Sequence, residues 1–338
     1  MEFYITLFIF IIIIFLYVHV MAQYKKSEDL EIYEMDYTTN LQLQEICNSK
    51  QPVLFEFKSI NPDIFMDLDS AAFLKQSSYD VNVRDTVDLL RPNNSGDAVP
   101  LKYDSFRRLA AADSRAHFIT EGNLGFIEES GLYSEYEELN TYLKPSLTVQ
   151  TKYDLLQGSE GAYTPLRYHT DERQFYIVSS GKITVKMTPW KSRKYLHPIT
   201  DFSTYEFRSP IDAWTPANNI GEKGSIKPDY TQDIEKIKFL EFDVLEGFVL
   251  YVPPYWWYSI KYSSADTLVL GATYNTIPRI VANSWDIIQY YLQQDNTTTK
   301  VTKTVALDSA PIQEITELDE SVDKSGQEPV IDPLKYVE

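Results

Sequence analysis

Two segments of the chain concentrate the side chains that could bind a ligand or a metal. The first spans residues 158–175 and reads GSEGAYTPLRYHTDERQF, with an imidazole at His169 and a carboxylate at Asp171. The second spans residues 245–260 and reads LEGFVLYVPPYWWYSI. The histidine can be a metal ligand or a hydrogen-bonded structural residue, and the aromatic run can line a pocket or fill a core. The residue types alone leave these alternatives open.

Together the two segments resemble the JmjC/cupin-like family of iron- and 2-oxoglutarate-dependent oxygenases, nearest the branch of the asparaginyl hydroxylase of the hypoxia response. The resemblance covers residues 41–292. Its more specific part is the second segment, where a glycine turn, an apolar strand, proline and a Trp-Trp pair follow one another. The resemblance implies a double-stranded β-helix with helices before it. It also implies an iron site and a 2-oxoglutarate site.

The iron site of the family needs two histidines and one carboxylate, which leave positions open for 2-oxoglutarate and oxygen. A His-x-Asp pair on one strand supplies two ligands, since residues i and i+2 point the same way. The second histidine comes directly after the Trp-Trp pair, and in this chain Tyr258 stands there. A phenol is a poorer ligand for Fe(II) than a neutral imidazole. The implied site is therefore incomplete.

The first half of this site aligns with the family in two ways, each at the cost of one insertion or deletion. One alignment keeps His169 and Asp171 as the His-x-Asp pair, which makes them the metal-ligand candidates. The other is anchored on Thr164 and Pro165. It places Arg167 where the family has histidine and His169 where it has aspartate. Under both alignments at least one of the three metal ligands is missing.

The candidate residues for 2-oxoglutarate are Thr164 and Lys182. The family usually has a basic residue two positions after the glycine that corresponds to Gly181, and this position is Ile183 here. Lys182 and Lys186 lie on either side of it and alternate to the opposite face of the strand. The apolar face fits the interior better, so we expect outward, solvated lysines.

The N-terminal residues 3–22 read FYITLFIFIIIIFLYVHVMA and contain no Asp, Glu, Lys or Arg. Twenty helical residues span about 30 Å, the thickness of a bilayer's hydrocarbon core. We expect a membrane anchor over residues 1–24 that contacts lipid through residues 3–22. A cleaved signal peptide is the alternative. Lys25 and Lys26 follow the apolar run, so the positive-inside rule favours a single-pass protein with its domain on the cytoplasmic face.

The rest of the chain predicts one domain over residues 25–294, mainly β with flanking helices. Helices are expected at 41–47, 103–112, 134–143 and 281–292, and strands at 52–55, 79–83, 153–156, 175–178, 183–187, 241–244, 249–252 and 267–274. Residues 190–238 are expected to form a long insertion loop. Residues 295–338 are acidic and poor in aromatics, which predicts a disordered tail.

Composition excludes some partners. The chain has 31 basic and 49 acidic residues and a net charge of −18, which disfavours binding to nucleic acid. The one cysteine, Cys47, cannot form an internal disulfide.

Three functional hypotheses follow from these features. The first is a catalytically degenerate binding or structural module with no bound cofactor, which could take a protein ligand. The second is an active Fe(II)/2-oxoglutarate-dependent hydroxylase that uses His169, Asp171 and a substitute ligand. The third is a glycan-binding surface on the aromatic cluster Tyr251, Tyr255, Trp256, Trp257, Tyr258 and Tyr262.

Overall fold

The computed structural model describes residues 2–90, 98–202, 204–221 and 229–294. The predicted tail, 295–338, lies outside the described residues. Helix α1 (Glu2–Gln23) is long and apolar enough to cross a membrane, with a mean hydropathy of 2.8 and no burial over its most apolar stretch. A signal sequence near the N-terminus can meet the same criteria of length and hydropathy. The prediction of one apolar N-terminal helix is confirmed.

Helices and strands alternate in the first half of the domain, and strands dominate the second half. The further helices are α2 (Asn40–Cys47), α3 (Pro62–Asp67), α4 (Ser70–Lys75), α5 (Thr86–Leu90), α6 (Tyr103–Ala112), α7 (Leu124–Glu129), α8 (Tyr133–Glu137), α9 (Asn140–Leu143), α10 (Arg193–Leu196), α11 (Thr231–Ile234), α12 (Ile277–Ala282) and α13 (Ser284–Gln294). Short 3-10 turns occur at Trp190–Ser192 and Pro216–Asn219. The strands are β1 (Tyr33–Glu34), β2 (Val53–Glu56), β3 (Asp80–Asp85), β4 (Val99–Lys102), β5 (Phe118–Thr120), β6 (Thr148–Gly158), β7 (Arg167–Tyr168), β8 (Arg173–Ser180), β9 (Lys182–Thr188), β10 (Ile199–Asp201), β11 (Glu206–Arg208), β12 (Leu240–Leu245), β13 (Phe248–Val252), β14 (Trp257–Tyr262) and β15 (Leu268–Thr276).

The strands form two sheets, which we call the large sheet and the small sheet. The large sheet has the order β1-β2-β13-β8-β15-β6-β5-β3-β4, and the small sheet has the order β10-β11-β7-β14-β9-β12. Almost all neighbouring strands are antiparallel, the β1–β2 pair being parallel. The described part of the chain is thus mainly β with flanking helices, as predicted.

The two sheets pack face to face on a shared apolar core. Val178 of β8 and Val269 of β15 contribute from the large sheet, and Val185 of β9 and Ile260 of β14 contribute from the small sheet. The opposite face of the large sheet packs against the N-terminal helices through residues such as Phe175. The large sheet is therefore buried on both faces, which fits the continuous apolar runs at 175–178 in β8 and 268–272 in β15.

Most predicted elements are present at the expected positions. The helix predicted at 103–112 is α6, and the strands predicted from residue 153 onward are β6, β8, β9, β12, β13 and β15. The helix predicted at 134–143 is divided into α8 and α9, and the final helix into α12 and α13. The segment 190–238 is not only a loop: β10 and β11 extend the small sheet beyond β7 through antiparallel pairing, which a single sequence does not reveal.

Candidate functional site

A cavity of about 220 Å³ lies between the sheets, where β7, the first residues of β8 and the start of β14 meet. The short strand β7 pairs with β14, and this pairing brings the two chemically interesting segments together. The residues that line the cavity include Arg84, Glu121, Arg167, His169, Tyr176 and Tyr258. Both metal-ligand candidates from the sequence, His169 and Asp171, reach this cavity.

Arg167 occupies the centre of the site. It is the register partner of Tyr258 in the antiparallel β7–β14 pair, and its guanidinium carbon lies 5.6 Å from the centroid of the Tyr258 ring. The guanidinium also donates two hydrogen bonds, of 2.9 and 2.7 Å, to the two carboxylate oxygens of Glu121. Such a two-pronged ion pair fixes the plane of the arginine. A permanent positive charge is thus held beside the phenol.

Glu121 lies between two arginines. Its carboxylate accepts hydrogen bonds from Arg167 and, at 3.2 Å, from Arg84, which also forms a 2.5 Å ion pair with Glu206. Burial alone would raise the pKa of Glu121, but Arg167 and Arg84 lower it below its ordinary value. Burial opposes the charge of Arg167 as well, and Glu121 more than offsets this, so the pKa of Arg167 is raised. Glu121 and the two arginines are therefore charged, and Glu121 and Arg167 each stabilise the charge of the other.

Tyr258 is buried among polar partners from β8. Its hydroxyl shares a hydrogen bond of 2.9 Å with the hydroxyl of Tyr176, and Gln174 donates to both phenols, at 2.5 Å to Tyr176 and 3.4 Å to Tyr258. Burial raises the pKa of Tyr176 well above its usual value, so this phenol stays protonated. The Tyr258 oxygen is engaged within the protein.

His169 follows Arg167 by two positions and is also close to the phenol. The ring centroids of His169 and Tyr258 are 6.1 Å apart. The Nε2 atom of His169 donates to the Val252 carbonyl at 3.0 Å. Burial lowers the pKa of His169 to about 4, although Asp171 raises it in part, so the imidazole is neutral at pH 7. Arg167 and His169 both contact the Tyr258 ring from one side of β7.

Asp171 lies at the edge of the cavity. One carboxylate oxygen accepts a hydrogen bond of 2.6 Å from the Asn275 side chain. The other oxygen is 3.9 Å from Nδ1 of His169, which is beyond a hydrogen bond. His169 and Asp171 are therefore neighbours, with the carboxylate held toward β15 by Asn275.

The two candidate residues for 2-oxoglutarate lie away from the cavity. The Thr164 hydroxyl accepts a hydrogen bond from the Ile260 backbone, and this buried pairing ties the loop before β7 to β14. Lys182 is on the outer face of β9, where its amine forms a 2.9 Å ion pair with Asp243. Ile183, the position the family gives to a basic residue, is buried in the core between the sheets. The structure therefore brings Arg167, His169, Asp171 and Tyr258 together but not Thr164 and Lys182.

The side chains at the centre of the cavity do not fit a ferrous ion. A guanidinium cannot lose its proton and offers no lone pair to a metal, and its charge repels a cation. Arg167 lies opposite Tyr258, a phenol that is already hydrogen-bonded to Tyr176. Among the described residues there is no group of three His, Cys, Asp or Glu side chains that could hold a metal ion.

The aromatic cluster of the second segment is buried and does not form an exposed platform. Tyr255 has the largest exposed fraction of its six side chains, 9%. Trp256 packs in the core between the sheets and donates to the Lys50 carbonyl, whereas Trp257 packs under residues of the 190–238 segment. Packing therefore accounts for both tryptophans.

No family model matches this chain, and no curated protein matches it. The cavity is therefore interpreted from its own residues.

Several residues of the site are not evident from the sequence. Glu121 and Arg84 belong to the N-terminal half, and only the pairing of β5 with β3 and β6 carries them to the cavity. Tyr176 lies on the strand predicted at 175–178, and Gln174 lies two positions before it, so the two side chains place polar groups on the same face. A polar pair at inward positions of an apolar strand is the signal for them.

Proposed function

We propose that this chain is a membrane-anchored, catalytically inactive relative of the JmjC/cupin-like oxygenases, and that its domain works as a binding or structural module. The observation that carries the proposal is the pairing of Arg167 with Tyr258 at the centre of the cavity. Where an oxygenase of this type has its metal, this protein has an arginine ion pair and a network of phenols.

The strand order supports the double-stranded β-helix. Eight strands, β6 to β9 and β12 to β15, carry this arrangement. From β6 to β9 the chain alternates between the large and the small sheet, and from β12 to β15 it alternates again. The insertion joins β9 to β12 within the small sheet. Eight strands wound between two facing antiparallel sheets in this way is the jelly-roll arrangement of cupins.

The site geometry favours the alignment that puts Arg167 and His169 at the His-x-Asp positions. These two residues contact the ring of Tyr258, the residue at the place of the second histidine. Asp171 is directed toward Asn275 instead. On this alignment all three metal positions have changed: histidine to arginine, aspartate to histidine, and histidine to tyrosine. This is the reason that we infer loss of the metal and not its replacement.

The anchor is proposed from α1, whose apolar length matches a bilayer. Lys25 and Lys26 follow its C-terminal end, and by the positive-inside rule they favour the cytoplasmic side for the domain.

The proposal is tested by incubating the full chain in detergent with Fe(II), ascorbate and 2-oxoglutarate, and measuring succinate and carbon dioxide. A member of the family with two histidines and a carboxylate is the positive control. We expect no succinate above the protein-free blank. Decarboxylation of 2-oxoglutarate that needs the protein, and that His169→Ala abolishes, would instead establish the altered-shell hydroxylase.

A further inference from the structure

The C-terminal helices α12 and α13 expose an unusually apolar surface. Their exposed side chains are Ile277, Val281, Ser284, Trp285, Ile288, Tyr291 and Leu292. Apart from Ser284 these are apolar or aromatic, and Trp285 and Leu292 are exposed by 68% and 69%. Within α13 the residues recur at helical spacing and so lie on one face. We call this surface the apolar stripe.

Charges are kept off the apolar stripe. The two charged residues of α12 and α13 are Arg279 and Asp286. Arg279 is fully buried, and Asp286 is partly buried. In a chain of which 24% is charged, a helical face without charge indicates contact with something apolar.

The apolar stripe begins where α1 joins the domain. The Tyr24 hydroxyl donates a 2.6 Å hydrogen bond to the Ala282 carbonyl, the last residue of α12. Arg279 donates to the Gln23 carbonyl at 2.6 Å. Gln23 is buried and His19 and Val20 are partly buried, whereas residues 2–18 of α1 are exposed. The junction of α12 and α13 therefore lies at the level where α1 would leave the bilayer.

We propose that α12 and α13 form a second membrane contact: an interfacial helical pair whose apolar stripe lies in the headgroup region of the bilayer that α1 crosses. The inference rests on α1 being an anchor. The partner is lipid because the stripe continues from the anchor. It also carries tryptophan and tyrosine, which favour the membrane interface, and it lacks charge. A second copy of the chain on the stripe is the competing occupant.

The contact would fix the orientation of the domain. The carbonyl of Thr170, beside the cavity, accepts hydrogen bonds from Arg279 and Asn283. Tyr205, which lines the cavity, contacts Tyr290 of α13 at 5.8 Å between ring centroids. The cavity end of the sheets would then face the membrane, and the opposite end would face away from it.

The test uses the full chain in phosphatidylcholine nanodiscs, with and without brominated acyl chains. Ile288→Cys and Leu245→Cys are each labelled with a polarity-sensitive fluorophore. Leu245 is the matched control, because it is an exposed apolar residue at the far end of the sheets. The length of β8, roughly 25 Å, separates this end from the cavity end. The native Cys47 is buried and does not compete for the label.

We expect about a twofold loss of fluorescence at position 288 in brominated lipid and none at position 245, since an interfacial helix lies about 5–10 Å into the headgroup boundary. Equal fluorescence loss at both positions would overturn the proposal. So would shielding of position 288 in detergent together with a dimeric mass, which would assign the stripe to a second copy. The intact mass of the chain, measured in parallel, reports separately whether α1 is retained.

Discussion

Arg167 and Tyr258 face each other across the β7–β14 pair, with the guanidinium carbon 5.6 Å from the ring centroid. Glu121 holds the arginine through two hydrogen bonds, so the position of Arg167 is fixed by the folded domain. It gives the function proposed above a specific structural basis, in which an internal ion pair occupies the cavity.

Loss of the Arg167 charge should destabilise the domain. Arg167→Met leaves the buried carboxylate of Glu121 with Arg84 alone, so we expect a loss near the lower end of the 3–5 kcal/mol typical of a broken buried pair. The matched control is Lys182→Met, which removes a half-exposed pair with Asp243 and should cost about 0–1 kcal/mol. Chemical denaturation followed by tryptophan fluorescence measures both. Equal losses would mean that the Arg167 pair has no special structural role.

His169 should make stability depend on pH. Its pKa is about 4 in the folded state, and an unfolded histidine titrates near 6.5. Between these values the unfolded chain binds the extra proton, so stability is full above about pH 6.5 and falls as the pH drops toward 4. The size of this effect is about 3 kcal/mol.

The matched variant for this effect is His169→Gln, which keeps a donor for the Val252 carbonyl but does not titrate. Asp154 gives the opposite pH dependence of stability. Burial raises its pKa to about 6, so its contribution to stability is lost as the pH rises toward this value. It contributes equally to both proteins, so the difference between their denaturation midpoints isolates His169. Parallel curves from pH 4 to 7 would contradict the assignment.

Gly158 should be required for the close packing of the two sheets. It ends β6 in the large sheet, and a Cβ atom there would lie 2.4 Å from the buried ring of Tyr262 on β14 in the small sheet. We expect Gly158→Ala to cost about 1–3 kcal/mol through overpacking. Gly125→Ala is the control, because that helical site has open space and alanine favours a helix. Thermal unfolding should separate the two variants, and similar melting temperatures would show that the sheets tolerate separation here.

Local patterns predicted the elements better than their arrangement. Helix α6 has its predicted bounds, because its apolar residues repeat at helical spacing within ten residues. The strands β10 and β11 were missed because each is three residues long, and because β11 joins the sheet by pairing with β7, which is distant in the chain. The break between α8 and α9 was also missed, although Tyr136, Leu139 and Leu143 on both sides of it are buried in one core.

The site was predictable only where residues are close in sequence. Tyr258 stood out because it follows the Trp-Trp pair where the resembled family has histidine, and Arg167 and His169 stood out because two alignments compete for them. The sequence leaves both alignments open, and it does not show that Arg167 lies opposite Tyr258, since this depends on the register of β7 with β14. Glu121 has no motif of its own, and its importance arises only from the two arginines that fold onto it.

The anchor makes a prediction about cellular fractionation. If α1 is retained, the full-length chain should stay with membranes after alkaline extraction and carry its N-terminal residues in an intact-mass measurement. Protease added to the cytoplasmic side of sealed vesicles should digest the domain. Release into the soluble fraction with a mass that lacks α1 would show that the segment is a signal sequence. Protection of the domain from the protease would instead reverse the proposed orientation.

The most direct test of the central claim is a Co(II) titration of the full chain and of the variant Arg167→His/His169→Asp/Tyr258→His, followed by visible absorption. Cobalt accepts the same nitrogen and oxygen ligands as Fe(II) and reports its coordination. The native protein should bind no stoichiometric cobalt at the cavity, and the variant should gain one site. One equivalent bound by the native protein, and lost in His169→Ala, would contradict the account.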